Sequence, residues 1–188
     1  MSGAPLPSGV MPDAVLAEPP LLPPRRPSVR FMLSHPAHVI ALGFGSGLVP
    51  LAPGTSGTLW AWLAYLAMQQ WLNPWLLGAI VGLSLPVGWW ACTVTARNMR
   101  IADPGAIVWD EIACFWIVLW VVMPAGLLAQ GAAFLLFRAF DMAKPGPVGW
   151  ADRSFKGHGW AGGFGIMIDD VVAAFCTLLV LAFWRHWW

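Results

Sequence analysis

The chain runs from Ile112 to Phe137 without a charged residue, and this 26-residue stretch constrains the fold more than any other feature. As one continuous helix it would separate the flanking acids Asp110 and Asp141 by about 46 Å at 1.5 Å per residue, which is more than the hydrocarbon core of a bilayer. Pro124 lies near the middle of the stretch, and a proline interrupts a helix. The sequence therefore predicts a helical hairpin at Pro124 that returns Asp141 to the level of Asp110.

The composition is typical of a membrane protein. Hydrophobic residues make up 59% of the 188 residues and charged residues only 10%, with a mean hydropathy of +0.68, which is far from the soluble average. The net charge of +1 comes without a basic stripe outside the segment flanks, so nucleic acid is not an expected partner. The three cysteines lie in apolar runs without CxxC spacing, which argues against a disulfide framework or a zinc site.

The positions of turns and charges predict five apolar passages. Residues 59–72 and 75–96 form the first two, and the second has no charged residue. The two arms of the hairpin and a final run ending at Trp184 supply the other three. An earlier stretch, residues 39–52, is apolar but interrupted by glycines and too short to span, which favours a re-entrant or broken helix. The predicted fold class is therefore all-α, a helical integral membrane protein with about five apolar helices and a hairpin at Pro124.

Residues 1–34 are predicted to form a disordered, proline-rich N-terminal tail. Eight of the 17 prolines fall within residues 1–30, which have no helical or alternating pattern of apolar residues. Prolines in such a segment prevent regular hydrogen-bonded structure. Residues 35–188 are then expected to form one membrane-embedded domain.

The charges predict which way the passages face. If five passages alternate across a bilayer, all nine acids and nine of the ten basic residues lie at one surface, and only Arg185 lies at the other. Lysine and arginine are in excess on the cytoplasmic side of membrane proteins. The acidic segment ends are therefore predicted to face the cytoplasm.

Acidic side chains at the ends of apolar runs are the strongest functional signal. Asp110 and Glu111 open one run, Asp141 closes another, and Asp169 with Asp170 is predicted to open the last. Adjacent carboxylates repel, and the edge of an apolar helix adds a desolvation cost unless a cation compensates. Hard oxygen ligands in this number suit a Mg²⁺-type ion. An aspartate at a helix start also interacts favourably with the helix dipole, but this explains one member of a pair and not two.

Basic and glycine-rich segments flank these acids. Arg138 and Lys144 lie three residues on either side of Asp141, and taken alone the spacing of Arg138 and Asp141 is explained more simply by an intrahelical ion pair. Residues 145–165 are predicted to form a glycine-rich loop. Residues 53–58, Pro-Gly-Thr-Ser-Gly-Thr, offer backbone N–H groups and hydroxyls ahead of the first passage, where either a phosphate or a plain helix cap would suit.

Five short motifs carry a resemblance to a known family. They are Gly43-Phe44-Gly45-Ser46-Gly47-Leu48, Pro53-Gly54-Thr55, Ile107-Val108-Trp109-Asp110-Glu111, Phe137-Arg138 with Asp141-Met142 and Lys144-Pro145, and Gly165-Ile166-Met167-Ile168-Asp169-Asp170. Together they are specific, and over about residues 35–185 the chain resembles the phosphatidylglycerophosphatase A family. The resemblance implies an all-helical fold, Mg²⁺ dependence, and removal of the terminal phosphate of phosphatidylglycerophosphate during phosphatidylglycerol synthesis at the bacterial inner membrane.

The resemblance also implies roles for individual side chains. Phosphate-monoester hydrolysis needs a cation to neutralise the phosphoryl oxygens, an activated water, and donors to the departing phosphate. Metal binding and catalysis are assigned to Asp110, Glu111, Asp141, Asp169 and Asp170, one of which is free to orient or deprotonate water. The expected phosphate partners are Lys144 and Arg138, followed by Thr55 with the Gly54 backbone. The expected partners of the whole protein are the phosphatidylglycerophosphate substrate and the lipid bilayer, and the oligomeric state stays open.

Three other functions compete with this interpretation. A transporter or channel also places acids beside a glycine-broken helix, but the predicted passages put no acid at mid-span. A phosphotransferase resembling the CDP-alcohol family would need an Asp-Gly dipeptide followed by Ala-Arg, which is absent. A type 2 phosphatidic acid phosphatase would need a Pro-Ser-Gly-His motif, whereas Pro7-Ser8-Gly9 is followed by Val10.

Overall fold

The computed structural model describes residues 26–155 and 159–187, and within them every regular element is helical. The described part contains eight α-helices and one 3₁₀ helix. Their bounds are α1 Val29–Met32, α2 Pro36–Ala41, the 3₁₀ helix Gly43–Leu48, α3 Pro53–Trp71, α4 Pro74–Met99, α5 Trp109–Val122, α6 Leu127–Ala143, α7 Gly146–Ser154 and α8 Gly159–Trp187. The predicted all-α class is confirmed, and the break predicted within residues 39–52 falls between α2 and the 3₁₀ helix.

Two of these helices are long and apolar enough to cross a membrane, judged by length and composition. They are Pro74–Met99, which is α4, and Gly159–His186, which is nearly all of α8. The two helices pack against each other. This finding gives the membrane prediction limited support, because the buried core helix of a soluble protein can have the same length and composition.

The N-terminal tail prediction falls mostly on residues 1–25, which lie outside the described residues. The described chain includes the one-turn helix α1 before the apolar bundle. Nδ1 of His38 lies 3.0 Å from the Phe31 carbonyl oxygen, and the two rings stack with centroids 4.1 Å apart. His38 Nε2 also lies 2.9 Å from the Asn98 side-chain amide of α4. These contacts fix the start of the bundle to the end of α4.

The chain turns at Pro124, as the uncharged stretch predicts. Helix α5 ends at Val122 and α6 begins at Leu127. Phe115 of α5 packs against Phe137 at the far end of α6, with ring centroids 5.6 Å apart. Because the two helices run in opposite directions side by side, the first turn of α5 lies near the last turn of α6.

Helix α5 is the centre of the bundle. Its side chains Ile112, Phe115 and Leu119 are fully buried. The indole N–H of Trp109 donates to the Ser84 carbonyl of α4, and that of Trp116 donates to a carbonyl of α3, each at 2.9 Å. Helices α6 and α8 pack on α5 as well. Neighbours on several sides therefore hold the first turn of α5 in place.

The predicted loop over residues 145–165 is wrong. The segment contains α7 and the first turns of α8, so Asp169 and Asp170 lie inside α8 and do not open it. Gly163 and Gly165 serve close packing inside α8 instead of forming a turn. A Cβ at Gly163 would overlap the Thr93 side chain of α4, and one at Gly165 would overlap the Phe155 carbonyl oxygen. A helix of small residues can approach its neighbours in this way.

Helix α3 also starts earlier than the sequence pattern predicts. It begins at Pro53, so the Pro-Gly-Thr-Ser-Gly-Thr segment is its first turn and a half and not a loop ahead of the helix. Proline is well tolerated at the first helical position, because the N–H that it lacks would have no partner inside the helix. Gly57 lets α3 approach Val108, whose Cβ lies 2.7 Å from where a side chain on Gly57 would begin.

Candidate active site

Three carboxylates from two helices meet at one point. Asp110 and Glu111 lie in the first turn of α5, and Asp170 lies in α8. One oxygen from each of the three side chains lies within 4.8 Å of the other two. Asp110 is 9% exposed and Asp170 only 3% exposed. Three acidic groups are thus held together with almost no solvent to screen their repulsion.

These three carboxylates and the neighbouring Asp169 carry buried oxygens without partners. Within the described part of the chain, Asp110 Oδ1, Glu111 Oε2, Asp169 Oδ1 and Asp170 Oδ1 are buried and accept no hydrogen bond. A buried, unpaired charge is strongly destabilising, and a cation bound among these carboxylates would relieve that cost. Oxygens on opposite sides of a Mg²⁺ ion are about 4.2 Å apart, given ligand distances of 2.0–2.1 Å. Adjacent oxygens on such an ion are about 2.9 Å apart, so the three oxygens, which lie within 4.8 Å of one another, could share one ion after side-chain movements of up to about 2 Å.

Arg138 and Asp141 lie beside this group. Arg138 donates to Asp141 three residues along α6, and its Nη1 atom is 3.7 Å from Glu111 Oε1. The side chains of Arg138, Glu111 and Asp141 are only 11–14% exposed. The intrahelical pair that the spacing alone suggests is present, and the same arginine also links α6 to α5.

Lys144 joins a second pair of acids. Its Nζ atom donates to Asp152 Oδ1 of α7 and to Asp169 Oδ2 of α8, both at 2.5 Å. Burial lowers the pKa of Lys144, but the bonds to Asp152 and Asp169 outweigh this effect and raise the pKa above its usual range. Lys144 is therefore charged at any physiological pH. It holds Oδ2 of Asp169, and the other oxygen, Oδ1, accepts no hydrogen bond within the described residues.

A cavity of about 190 Å³ opens over these groups. Seven acidic side chains line it, and they are all the acids within the described residues: Asp103, Asp110, Glu111, Asp141, Asp152, Asp169 and Asp170. Lys144 is the basic residue in the lining. Three glycines, Gly105, Gly162 and Gly165, also line the cavity and put no side chain into it. The excess of negative charge again favours a bound cation, and the volume admits a small phosphate group.

The start of α3 approaches the site from another side. A Cβ on Gly54 would overlap Glu111 Oε1 and lie 3.1 Å from an Arg138 guanidinium nitrogen. Glycine at this position therefore lets the backbone of α3 touch both side chains. Thr55 follows in the same helical turn and is half-buried, but neither residue is part of the cavity lining. Helix α3 thus packs against Glu111 and Arg138 without lining the cavity.

Two residues of this site were not among the predicted ones. Asp152 binds Lys144, and Asp103 lines the cavity from the segment between α4 and α5. Asp152 lies in the segment that the sequence pattern predicts as a loop, where charged residues are common and carry little signal. The i, i+8 spacing of Lys144 and Asp152 becomes informative only once α7 is known to fold back toward α8.

Fold and site together define a class of protein: an all-helical, largely apolar bundle with a buried cluster of carboxylates beneath a cavity at one end. A profile of a family described as phosphatidylglycerophosphatase A matches residues 39–185, and no solved structure matches the chain. The chain belongs to the phosphatidylglycerophosphatase A family.

Individual relatives agree with this membership. A phosphatidylglycerophosphatase A of Escherichia coli K12 is 41% identical over 85% of this chain and 89% of its own length. A Haemophilus influenzae protein of the same name is 36% identical over 86% of this chain and 96% of its own length. A Bacteroides thetaiotaomicron protein with the provisional description phosphatidylinositol-3-phosphatase is 35% identical over 77% of this chain and 90% of its own length. All three names describe enzymes that act on lipid phosphates.

Proposed function

We propose that this protein hydrolyses the terminal phosphate monoester of phosphatidylglycerophosphate to give phosphatidylglycerol, in a Mg²⁺-dependent reaction at the cytoplasmic face of the bacterial inner membrane. The observation that carries the proposal is the three-carboxylate group with its unpaired buried oxygens, in a chain 41% identical to a phosphatidylglycerophosphatase A. The reaction belongs to phospholipid synthesis.

The metal would be held by Asp110, Glu111 and Asp170, whose free oxygens converge. A bound Mg²⁺ ion supplies neutralisation of phosphoryl oxygen charge and a lowered pKa for a coordinated water. Asp141 and Asp169 lie next to these three carboxylates, but each already forms an ion pair with a basic side chain. Their role is therefore to position those cations and to handle protons, with direct binding of the ion left to the other three.

Asp169 is the best-placed proton acceptor. Lys144 holds its Oδ2 atom, while its Oδ1 atom is buried without a partner. A carboxylate oriented in this way can accept a proton from a water molecule that attacks phosphorus. Asp169 also adjoins Asp170 in the chain, so the accepted proton stays next to the proposed metal position.

Arg138 and Lys144 are the donors for the departing phosphate. Both are charged and partly buried, and charge-assisted hydrogen bonds in such surroundings are stronger than neutral ones. Arg138 Nε is buried and, among the described residues, has no acceptor, so the guanidinium has spare donor capacity. Gly54 and Thr55 do not line the cavity, so α3 would act on the phosphate through Glu111 and Arg138, which Gly54 contacts.

The lipid substrate also fits the proposed placement in the membrane. The helices α3, α4, α5, α6 and α8 would form the five passages, with the cavity at their cytoplasmic end. A lipid can then keep its acyl chains in the bilayer while its head group reaches the carboxylates, which raises the local concentration of the scissile phosphate.

Phosphate release from defined lipids tests the proposal. The purified protein in detergent micelles should release phosphate from phosphatidylglycerophosphate only with Mg²⁺, and much more slowly from phosphatidic acid. Phosphatidylinositol 3-phosphate is the second substrate to measure, because one relative is described as acting on it. A transporter would release no phosphate, and equal rates on all three lipids would indicate a general lipid phosphatase.

A further inference from the structure

A groove beside the active-site cavity carries positive charge that the proposed hydrolysis does not use. It lies between the C-terminal end of α4 and the N-terminal end of α8 and has a volume of about 570 Å³. Arg97, Arg100 and Trp160 line it, and it shares Ala102 and Gly162 with the cavity. We call this feature the basic groove. Because the two spaces adjoin, one ligand could occupy both.

The arginines of the basic groove differ from those of the catalytic cavity in having no acidic partner. Arg97 and Arg100 are exposed, and within the described residues neither forms an ion pair. Lys144 and Arg138, by contrast, are each bound by two carboxylates. The groove therefore has uncompensated positive charge next to a cavity of strongly negative charge.

A role in ending α4 explains only part of this charge. Arg97 lies in the last turn of α4, where a basic side chain favours the helix dipole. Arg100 is the C-cap and has a φ of 56°, a left-handed conformation that glycine adopts without strain and arginine adopts at a cost. Glycine would end the helix at a lower energetic cost, so capping does not explain why an arginine occupies position 100.

The walls of the basic groove are fixed by close contacts. Gly163 of α8 lies so near Thr93 of α4 that a Cβ would overlap the threonine side chain. The Trp89 indole N–H donates to the Trp160 carbonyl at 2.7 Å, and the two rings meet edge to face with centroids 5.6 Å apart. A groove whose walls are already fixed loses little entropy when it binds a ligand.

An apolar groove continues from the basic groove along the same two helices. It has a volume of about 230 Å³ and is lined by apolar side chains that include Trp89, Phe164 and Met167. Trp89 also contacts Trp160 of the basic groove. Along α8 the basic groove comes first, at residues 159–163, and the acidic cavity and the apolar groove follow it on different faces, at residues 162–170 and 164–171.

We propose that the basic groove binds the phosphodiester group of the lipid substrate through Arg97 and Arg100, while the phosphomonoester occupies the acidic cavity. The inference rests on the proposed function, because it identifies the second phosphate of that substrate as the ligand. Two anionic groups separated by a glycerol match two adjoining sites, and acyl chains would follow the apolar groove. The arginines then determine specificity, favouring lipids with two phosphates over those with one.

Substrates that differ in one group at a time test this inference. Arg97→Gln, Arg100→Gln and the double variant should be compared with wild type on phosphatidylglycerophosphate, its water-soluble deacylated form, and phosphatidic acid. Arg30→Gln is the matched control, since Arg30 is an exposed arginine of α1 that lines neither groove. Arg97→Lys and Arg100→Lys retain the charge.

We expect each glutamine variant to lower kcat/KM by roughly tenfold on both two-phosphate substrates, mainly through KM, because a charged hydrogen bond to phosphate is lost. Activity on phosphatidic acid should stay within about twofold of wild type, the lysine variants should recover part of the loss, and Arg30→Gln should match wild type.

Three results would overturn the inference. An equal loss on all three substrates would mean that the arginines attract anionic micelles in general. A loss on the two lipids but not on the deacylated compound would assign the groove to the membrane surface, and no loss on any substrate would leave the groove without this role. A wild-type protein that releases no phosphate from phosphatidylglycerophosphate would refute the proposed function itself, and the inference with it.

Discussion

Asp169 and Asp170 are neighbours in the chain but have different surroundings. Asp170 joins Asp110 and Glu111 with an unpaired buried oxygen, whereas Asp169 is held by Lys144. One turn of a helix thus carries two carboxylates that point to different partners, because successive residues on a helix are about 100° apart. Under the proposed function, Asp170 would bind the ion and Asp169 would accept the proton.

Replacing each aspartate by asparagine should therefore give different results. Mg²⁺ should raise the unfolding temperature of the wild type but not that of Asp170→Asn, because this substitution removes a charge from the proposed metal site. Without Mg²⁺ the same variant should be more stable than wild type, because a buried unpaired charge is gone. Asp169→Asn should keep the Mg²⁺-dependent rise in unfolding temperature while losing about 10²-fold in kcat.

Thermal unfolding in detergent micelles with and without Mg²⁺, together with phosphate release, checks both variants. Wild-type Mg²⁺ stabilisation retained in Asp170→Asn would mean that Asp170 does not bind the ion. Equal behaviour of the two variants in both measurements would remove the division of roles between them.

At the scale of elements, glycines decide how closely α8 approaches its neighbours. Gly163 touches Thr93 of α4 and Gly165 touches the Phe155 carbonyl. These contacts set the position of α8, and with it the distance from Asp170 to the first turn of α5. Helix packing and site geometry are therefore controlled by the same small residues.

Gly163→Val should consequently loosen both the fold and the site. The added side chain overlaps Thr93 at its Cβ and Cα atoms as well as its hydroxyl, so the helices must separate at a cost of about 1–3 kcal/mol. We expect a lower unfolding temperature and a loss of phosphatase activity. Gly82→Ala in α4 is the control, because a Cβ there meets nothing within 4 Å, and it should be neutral or slightly stabilising. Unchanged stability of Gly163→Val would show that the contact with α4 does not position α8.

The elements also show what a single sequence can and cannot predict. The break at Pro124 was predictable because an uncharged stretch too long for the bilayer had a proline near its middle. The start of α8 was not, because glycines such as Gly163 and Gly165 indicate a loop unless the partner helix is known. The acids of the site were predictable from their position beside apolar runs, but Asp152 was not, because its partner Lys144 is brought near only by α7.

At the scale of the whole molecule, the two ends of the bundle differ in charge, and both expose tryptophan. The cavity end carries all the acids of the described residues. The opposite end exposes Trp71 and Trp75 at the turn between α3 and α4, at 88% and 87%, and Trp184 near the end of α8, at 67%. Tryptophan is enriched where a membrane meets water. The cavity end also exposes Trp150 and Trp160, at 59% and 57%. Exposed tryptophans at both ends are expected if the cavity faces the cytoplasm and the other end faces the periplasm.

Cysteines placed at the two ends would test this orientation. Gly105 borders the cavity and Gly126 lies at the hairpin turn, and a side chain at either position meets nothing within 4 Å, so both should tolerate cysteine. Each would be introduced after Cys92, Cys114 and Cys176 are replaced by alanine, with phosphatase activity confirming the fold. A membrane-impermeant maleimide added to intact cells should label Gly126→Cys and should label Gly105→Cys only after permeabilisation, because the positive-inside rule puts the flanking Arg97, Arg100 and Arg138 in the cytoplasm. Labelling of Gly105→Cys in intact cells would reverse the orientation, and labelling of both positions would mean that the bundle lies at the surface without crossing the bilayer.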